Sequence, residues 1–258
     1  MPVLIEHRPL IGRPTGVRPM FHEVWTGVDI HLPLADVAEQ ARRVEALGFD
    51  GVTVPDAVHD GFLVAATALA ATSQLRVRTS GLIAFARSPM IVAVATWDLR
   101  AAYGGRFELG LGPLLKSIVV DRYSMPWTAP APRMREYVQS LRAIFECWQD
   151  GTPLSYLGEQ YRFTRMQDYM KPPPLAHPDV PVHLAGIGPA MTALAGELAA
   201  GLATHPTNSA PAFLREVTLP NLARGAARTG RSRSDVMLHV NAFVATGPDA
   251  AAVARARE

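Results

Sequence analysis

The chain has 258 residues, which suits one large α/β domain or two small ones. A hydrophobic fraction of 48%, a charged fraction of 19% and a net charge of +2 describe an ordinary globular protein, with no basis for binding nucleic acid or an anionic membrane surface. The single cysteine, Cys147, excludes an internal disulfide; no zinc-type Cys/His spacing, signal-peptide run or stretch near the ~18 apolar residues of a membrane span is present, so a cytoplasmic protein is expected.

Residues 1–20 hold four prolines and no sustained period, and read as an irregular leader. The chain then alternates. Phe21–Ile30 reads as a strand, and Leu34–Leu47 as a helix with Leu34, Val37, Ala38, Ala41, Val44 and Leu47 at helical spacing and Gly48 as its stop. Phe49–Val54 is a second strand, Phe62–Thr72 a small-residue helix, Leu75–Phe85 a third strand and Ile91–Tyr103 a third helix. Gly104-Gly105 turns the chain into a fourth strand, Arg106–Leu111. The longest helix, about Arg133–Gln149, carries an apolar stripe of Met134, Val138, Leu141, Phe145 and Trp148. An insertion at about 151–180, rich in proline and aromatics, contains Leu154–Tyr156 and Glu159–Phe163, which read as a hairpin and could form a lid or a satellite hydrophobic cluster. Val182–Ala185, Gly201–Thr204 and Val236–Thr246 are the fifth to seventh strands; Pro189–Ala199, Pro211–Thr229 and Asp249–Arg257 are the helices that follow them.

Strand–helix alternation means a parallel sheet, because parallel strands need crossover connections. Seven βα units favour a closed barrel over a doubly wound sheet, and no GxGxxG follows the first strand. The expectation is a single (β/α)₈-type barrel over 21–258 that lacks its eighth βα unit. Strands one and seven then face each other across a seam that is open or otherwise covered.

In a barrel, chemistry sits just after the strands. Gly186-Ile187-Gly188-Pro189 is the most informative such turn: two glycines, then proline at a first helical position, leave backbone N–H groups free for a phosphate, although a plain tight turn reads the same way. Arg87 can pair with a phosphate or carboxylate. Asp56 is a helix cap or a ligand contact. His59 is a candidate acid/base group, because an unperturbed imidazole has a pKa near neutrality, or a solvent-facing loop histidine. Lys116 is the first polar side chain after strand four, and His205 follows strand six.

Five ordered stretches resemble the luciferase-like monooxygenase superfamily: ARRVEALGFDGV (41–52), FARSPM (85–90), WDLRAAYGGRFELGLG (97–112), SMPWTAPAPRMREYVQSLRAIFECW (124–148) and LAGIGPAMTALAGELAAG (184–201). The fourth resembles a mycobacterial and actinobacterial subgroup of F420-dependent oxidoreductases. The resemblance implies a TIM-like barrel of the luciferase-like type holding coenzyme F420, or alternatively FMN, with the cofactor phosphate at Gly186, Ile187 and Gly188. It also implies a non-prolyl cis peptide at Ser80–Gly81 behind the cofactor ring, and Asp56 near that ring. Arg87, Lys116 and His205 complete the expected cofactor contacts, and Asp56 and His59 the expected acid/base pair.

There are departures. Sugar-phosphate dehydrogenases of the family place a catalytic histidine directly after the acid; here that position is Ala57, with His59 two residues on. After LGLG they are polar, whereas Pro113-Leu114-Leu115 is apolar, and Ala200-Gly201 replaces an Asp-Gly turn. The leading expectation is an F420-dependent oxidoreductase that transfers hydride to or from a small organic substrate as a homodimer, with no metal, nucleic-acid or membrane partner. An FMN monooxygenase and a non-catalytic cofactor-binding homologue are the alternatives. A metal-dependent hydrolase drawing on His31, His59, His205 and His239 is a distant third class, because no acidic cluster converges with them.

Overall fold

A computed structural model describes residues 23–256. The leader expected at 1–20 lies outside these residues, as do the first two residues of the strand expected from Phe21. Seven parallel strands form one continuous curved path: β1 (Trp25–Gly27), β2 (Gly51–Val54), β3 (Arg76–Thr79), β5 (Phe107–Gly112), β8 (Val182–Ala185), β9 (Gly201–Ala203) and β10 (Met237–His239). A two-residue strand, β4 (Leu82–Ile83), continues the line of β3 alongside β5. The helices α1 (Val37–Ala46), α2 (Gly61–Ala71), α3 (Pro89–Ala102), α4 (Pro130–Asp150) and α5 (Pro189–Leu198) are the crossovers. The sixth crossover is a broken helix: α6 (Pro211–Phe213) passes through a π-helical stretch, Leu214–Thr218, into α7 (Leu219–Ala227). Helix α8 (Ala250–Arg255) follows β10. The architecture is the expected α/β barrel of seven units.

Local chemistry sets the boundaries. Asp60 caps α2 by accepting from the N–H groups of Phe62 and Leu63, and Ser88 caps α3 with Pro89 in its first turn. Gly151, at φ 75°, ends α4 in the left-handed region that glycine tolerates. The whole expected stripe of α4 is buried, and Trp97 of α3 stacks on Phe145 at 5.5 Å and meets Trp148 edge-on at 5.3 Å. Each such fully buried side chain contributes about 1.5–3 kcal/mol.

The third strand is not continuous as expected. Val77 pairs with Phe107, yet Leu82 pairs with Leu111, so five steps on one strand face four on the other. This is a β-bulge at Ser80–Gly81. At the crossing, the Thr79 hydroxyl donates to the Gly110 carbonyl and accepts from the Gly110 N–H, at 2.8 and 2.9 Å. A Cβ on Gly110 would lie 1.8 Å from the Thr79 carbonyl, so only glycine fits there. No peptide bond in the described residues is cis. The cis bond expected at Ser80–Gly81 is therefore corrected: the bulge re-aims the chain with trans bonds alone.

Two further expectations change. The seventh strand ends at His239 rather than Thr246, because Asn241 folds back, donating from its side chain to the Thr204 carbonyl and from its backbone to the Thr204 hydroxyl. The insertion does contain a hairpin, β6 (Tyr156–Leu157) against β7 (Arg162–Phe163). It is clamped to the side of α4, where the Glu136 carboxylate accepts from the N–H groups of Glu159, Gln160 and Tyr161, and Tyr137 meets Tyr161 edge-on. It is a satellite cluster rather than a lid.

Strands β1 and β10 are not hydrogen-bonded to each other, so the expected seam is present between them among the described residues. Polar side chains cross it from inside. The Arg78 guanidinium contacts both ring nitrogens of His239, at 2.6 and 3.0 Å, and an oxygen of Glu108 at 3.3 Å. The Trp25 ring lies 5.0 Å from the Arg76 guanidinium and 4.3 Å from that of Arg78. Burial, then the Arg78 and His183 charges, push His239 down to about 3. Burial likewise lowers Arg78 to about 10 against the pull of Glu108.

Candidate functional site at the C-terminal mouth

Three small residues meet where the bulge between β3 and β4 passes the ends of β5 and β8. A Cβ on Gly81 would lie 3.1 Å from the Ala185 Cβ and 3.1 Å from the Gly112 nitrogen, and one on Gly112 would lie 3.6 Å from the Ala185 Cβ. A larger residue at Gly81 would crowd this close approach. Ser80 sits beside it, half-buried, its N–H donating to the Val54 carbonyl at 2.8 Å.

Directly after Ala185 is the turn expected to take a phosphate. Gly188 precedes α5, Pro189 stands in the first turn, and no side chain caps this helix start. Ile187 and Gly188 are exposed and Gly186 is half-buried. A Cβ on Gly186 would lie 2.7 Å from the Met191 Cβ, so glycine is needed for the turn to fold against its own helix. Open backbone N–H groups at a helix start favour an anion. His205 is exposed on the next loop, its Nδ1 2.8 Å from the Thr207 hydroxyl, and Lys116 is exposed beyond β5.

The charged group next to β4 has partners of its own. The Asp56 side chain is 3% exposed and accepts four hydrogen bonds: Gly61 N–H and Arg87 Nη2 on Oδ1, both at 3.0 Å, and Ile83 N–H at 2.8 Å and Arg87 Nη1 at 2.7 Å on Oδ2. Arg87 also donates to Asp60 at 2.7 Å. Burial opposes ionisation of Asp60, but the Arg87 hydrogen bond and charge and the helix N–H groups outweigh it and hold the carboxyl below its ordinary range. Asp56 thus anchors the β2–α2 loop to β4, and Arg87 is paired with two carboxylates. His59, half-buried on the same loop, remains the titratable candidate.

Arg122 is a residue that sequence reasoning missed. It lies in a π-helical turn, Ile118–Arg122, and donates to the Ala57 carbonyl at 2.9 Å. That bond ties the β5–α4 loop to the β2–α2 loop across the end of the intervening strand. No periodic pattern marks it, because its partner is a backbone carbonyl 65 residues away. Gly112 and Ala185 were also missed as site residues, although both stand inside the quoted glycine-rich stretches. Among the described residues, no group of three or more His, Cys, Asp or Glu side chains is placed to hold a metal, and no helix is long and apolar enough to cross a membrane.

A cavity of about 700 Å³ lies at the opposite, N-terminal end of the barrel, lined in part by Arg76, Glu108, Arg142, His183 and Arg231. Several of its charged side chains bond to the fold itself: Arg76 to Glu23 and Glu108, Arg142 to the Leu198 carbonyl, and Arg231 to the Gly196 and Asp235 carbonyls.

Comparison with known proteins identifies the family. Residues 16–258 match the family model described as luciferase-like monooxygenase. The chain is 45% identical over 223 residues to an uncharacterised protein of Mycobacterium tuberculosis, covering 86% of this chain and 65% of that one. It is 31% identical to an F420-dependent glucose-6-phosphate dehydrogenase of Nakamurella multipartita, over 76% of this chain and 59% of the relative. Among solved structures, the F420-dependent tetrahydromethanopterin reductase of Methanopyrus kandleri superposes with a TM-score of 0.70 at 20% identity, over 84% of this chain and 64% of the other. The chain thus spans about two thirds of the length of these relatives.

Proposed function

The chain belongs to the luciferase-like monooxygenase family, and from that premise we propose that it is an F420-dependent oxidoreductase acting on a small organic substrate. The observation that carries this reading is the cradle of Gly81, Gly112 and Ala185 beside an uncapped helix start. A planar ring needs a flat support, and its phosphate needs open N–H groups nearby; the two lie at the ends of neighbouring strands. Bound F420 would supply hydride transfer in either direction. Gly81, Gly112 and Ala185 would support the ring, and the Gly186–Gly188 turn would take the phosphate. Lys116 and His205 lie on adjoining loops and are assigned to the remaining anionic groups. Asp56, Arg87 and Asp60 hold the β2–α2 loop in place, and His59 on that loop is assigned the proton transfer.

The family description favours a monooxygenase as the second reading, with FMN in the same cradle, the cofactor named for a Baeyer-Villiger monooxygenase of Pseudomonas putida of similar fold. Titrating the protein into F420 and into FMN, followed by cofactor fluorescence, separates the two. Tighter binding of FMN overturns the F420 assignment, and binding of neither overturns both. His59→Asn should lower turnover at least tenfold while leaving cofactor affinity unchanged; unaltered turnover removes His59 from the reaction.

A homodimer is part of the proposal. Helix α2 is apolar nearly all round, and Leu63 on it, with Ile91 and Val94 on α3, is exposed in the single chain. Light scattering of the wild type and of Leu63→Asp tests it: a mass of two chains that falls to one supports the dimer, and a single-chain mass for the wild type excludes it.

A further inference from the structure

We propose that the substrate side of this mouth is an apolar subsite built by Leu114, Leu115, Val58 and Ile187, and that it takes a neutral, mainly hydrocarbon molecule rather than a sugar phosphate. The inference rests on the cofactor reading above and names the substrate class for that site.

Leu114 carries the first argument. It adopts φ 59° directly after the β5 end. A branched side chain in this left-handed region costs about 1–2 kcal/mol. Burial does not offset that cost, because Leu114 remains 38% exposed and its neighbour Leu115 65% exposed. Strain that brings no burial is characteristic of functional sites. Here it leaves two leucines exposed on the loop that follows Gly112.

The second argument is the company these leucines keep. The Arg122–Ala57 bond brings the β2–α2 loop to the β5–α4 loop, and Val58, the next residue, is 56% exposed. Ile187, 48% exposed, stands between the two glycines of the turn after β8. Exposed aliphatic side chains thus stand on the three loops that follow β2, β5 and β8. Two of the nearby cations are engaged, Arg87 with Asp56 and Asp60, and Arg122 with the Ala57 carbonyl and the Tyr123 ring, 5.4 Å away, while the exposed Lys116 is assigned above to the cofactor's anionic groups. Arg87 is shared between Asp56 and Asp60, so the trio keeps a net negative charge that disfavours a phosphate. A phosphorylated sugar needs cations and hydroxyl-binding groups that these loops commit elsewhere. A hydrocarbon chain needs only the aliphatic surface that is present.

The test has two arms that fail separately. In the first, the neutral fluorophore N-phenyl-1-naphthylamine is titrated into protein without cofactor and displaced by the ketones 2-butanone, 2-hexanone and 2-octanone. Displacement should tighten roughly fourfold per added methylene, as transfer of a CH₂ from water requires. Glucose 6-phosphate should not displace the probe, and Leu115→Asp should weaken probe binding at least tenfold. In the second arm, F420 fluorescence is titrated with wild type and with Leu115→Asp, and equal affinities are expected. No probe binding, displacement independent of chain length, or displacement by glucose 6-phosphate overturns the apolar subsite whatever the cofactor does. Probe binding with the expected chain-length dependence, but without F420 binding, overturns the cofactor reading and leaves the subsite standing.

Discussion

The two ends of the barrel are built on opposite plans. At the N-terminal end, charged side chains bond to the backbone. Arg100 donates to the carbonyls of Gly105, Phe107, His177 and Asp179. Arg106 donates to those of Leu69, Thr72 and Leu75, and the Glu45 carboxylate accepts from three consecutive N–H groups, Ser73 to Leu75. At the C-terminal end, glycines, an uncapped helix start and exposed aliphatics leave backbone and surface available. The contrast shows that one quoted stretch serves both ends. In residues 97–112, Arg100 and Arg106 hold the base together, while Gly110 and Gly112 shape the mouth. Strong resemblance across a stretch therefore does not by itself mark a catalytic residue.

The comparison can be broken most severely at the base. Arg100→Ala leaves four carbonyls without a charged donor and should cost roughly 3 kcal/mol or more, read as a lower urea midpoint, with F420 affinity per folded molecule unchanged. Selective loss of cofactor affinity without loss of stability would contradict the division of labour. Gly81→Val is the converse change at the mouth. It should weaken F420 at least a hundredfold in the fluorescence titration, at a stability cost of about 1–3 kcal/mol from overpacking. Full cofactor affinity in the folded variant would remove the cradle from the site.

The interior predicts a pH effect of intermediate size. Folded His239 sits at about 3, against an ordinary value near 6.5. The unfolded chain therefore takes up a proton below pH 6.5 that the folded barrel refuses until about pH 3. Stability is complete above 6.5 and falls with decreasing pH by up to about 1.4 kcal/mol per unit, roughly 2 kcal/mol by pH 5. Urea unfolding of wild type and His239→Phe between pH 7 and 5 checks this: the variant should lack most of the slope, and equal slopes would place the proton uptake elsewhere. The smallest effect is expected for Glu45→Gln, which keeps an acceptor but loses its charge. Burial acts against ionisation of Glu45, yet its three N–H donors and the Arg106 charge lower it below the ordinary carboxylate range. The substitution should cost about 1 kcal/mol at neutral pH, measured in the same way.

Much of the fold was legible in the sequence, because strand–helix alternation is a local pattern. Val182–Ala185 coincides with the strand as read, and the α4 stripe is buried throughout. The unread features depend on partners distant in sequence. The bulge at Ser80–Gly81 exists only as an offset against β5. The Asp56–Arg87 pair joins residues 31 positions apart, so each looked available when considered alone. The polar interior did leave a trace: Arg76 and Arg78 alternate with apolar residues in β3, as Glu108 does in β5, the period-two signature of a strand with a polar inner face. The glycines of the mouth were visible as turns, but which of them touch could be seen only once the strands were aligned.

The bulge also makes the site separable from its scaffold in hereditary terms. Its geometry amounts to one surplus residue in one strand, so a single-codon deletion at Ser80 or Gly81 would let β3 run straight into β4 in uniform register with β5. The alternation of Leu82 and Ile83 relative to β3 would invert, and the close approach of Gly81 to Gly112 and Ala185 would be lost. The residues that form the Arg100 and Arg106 locks lie outside the deletion.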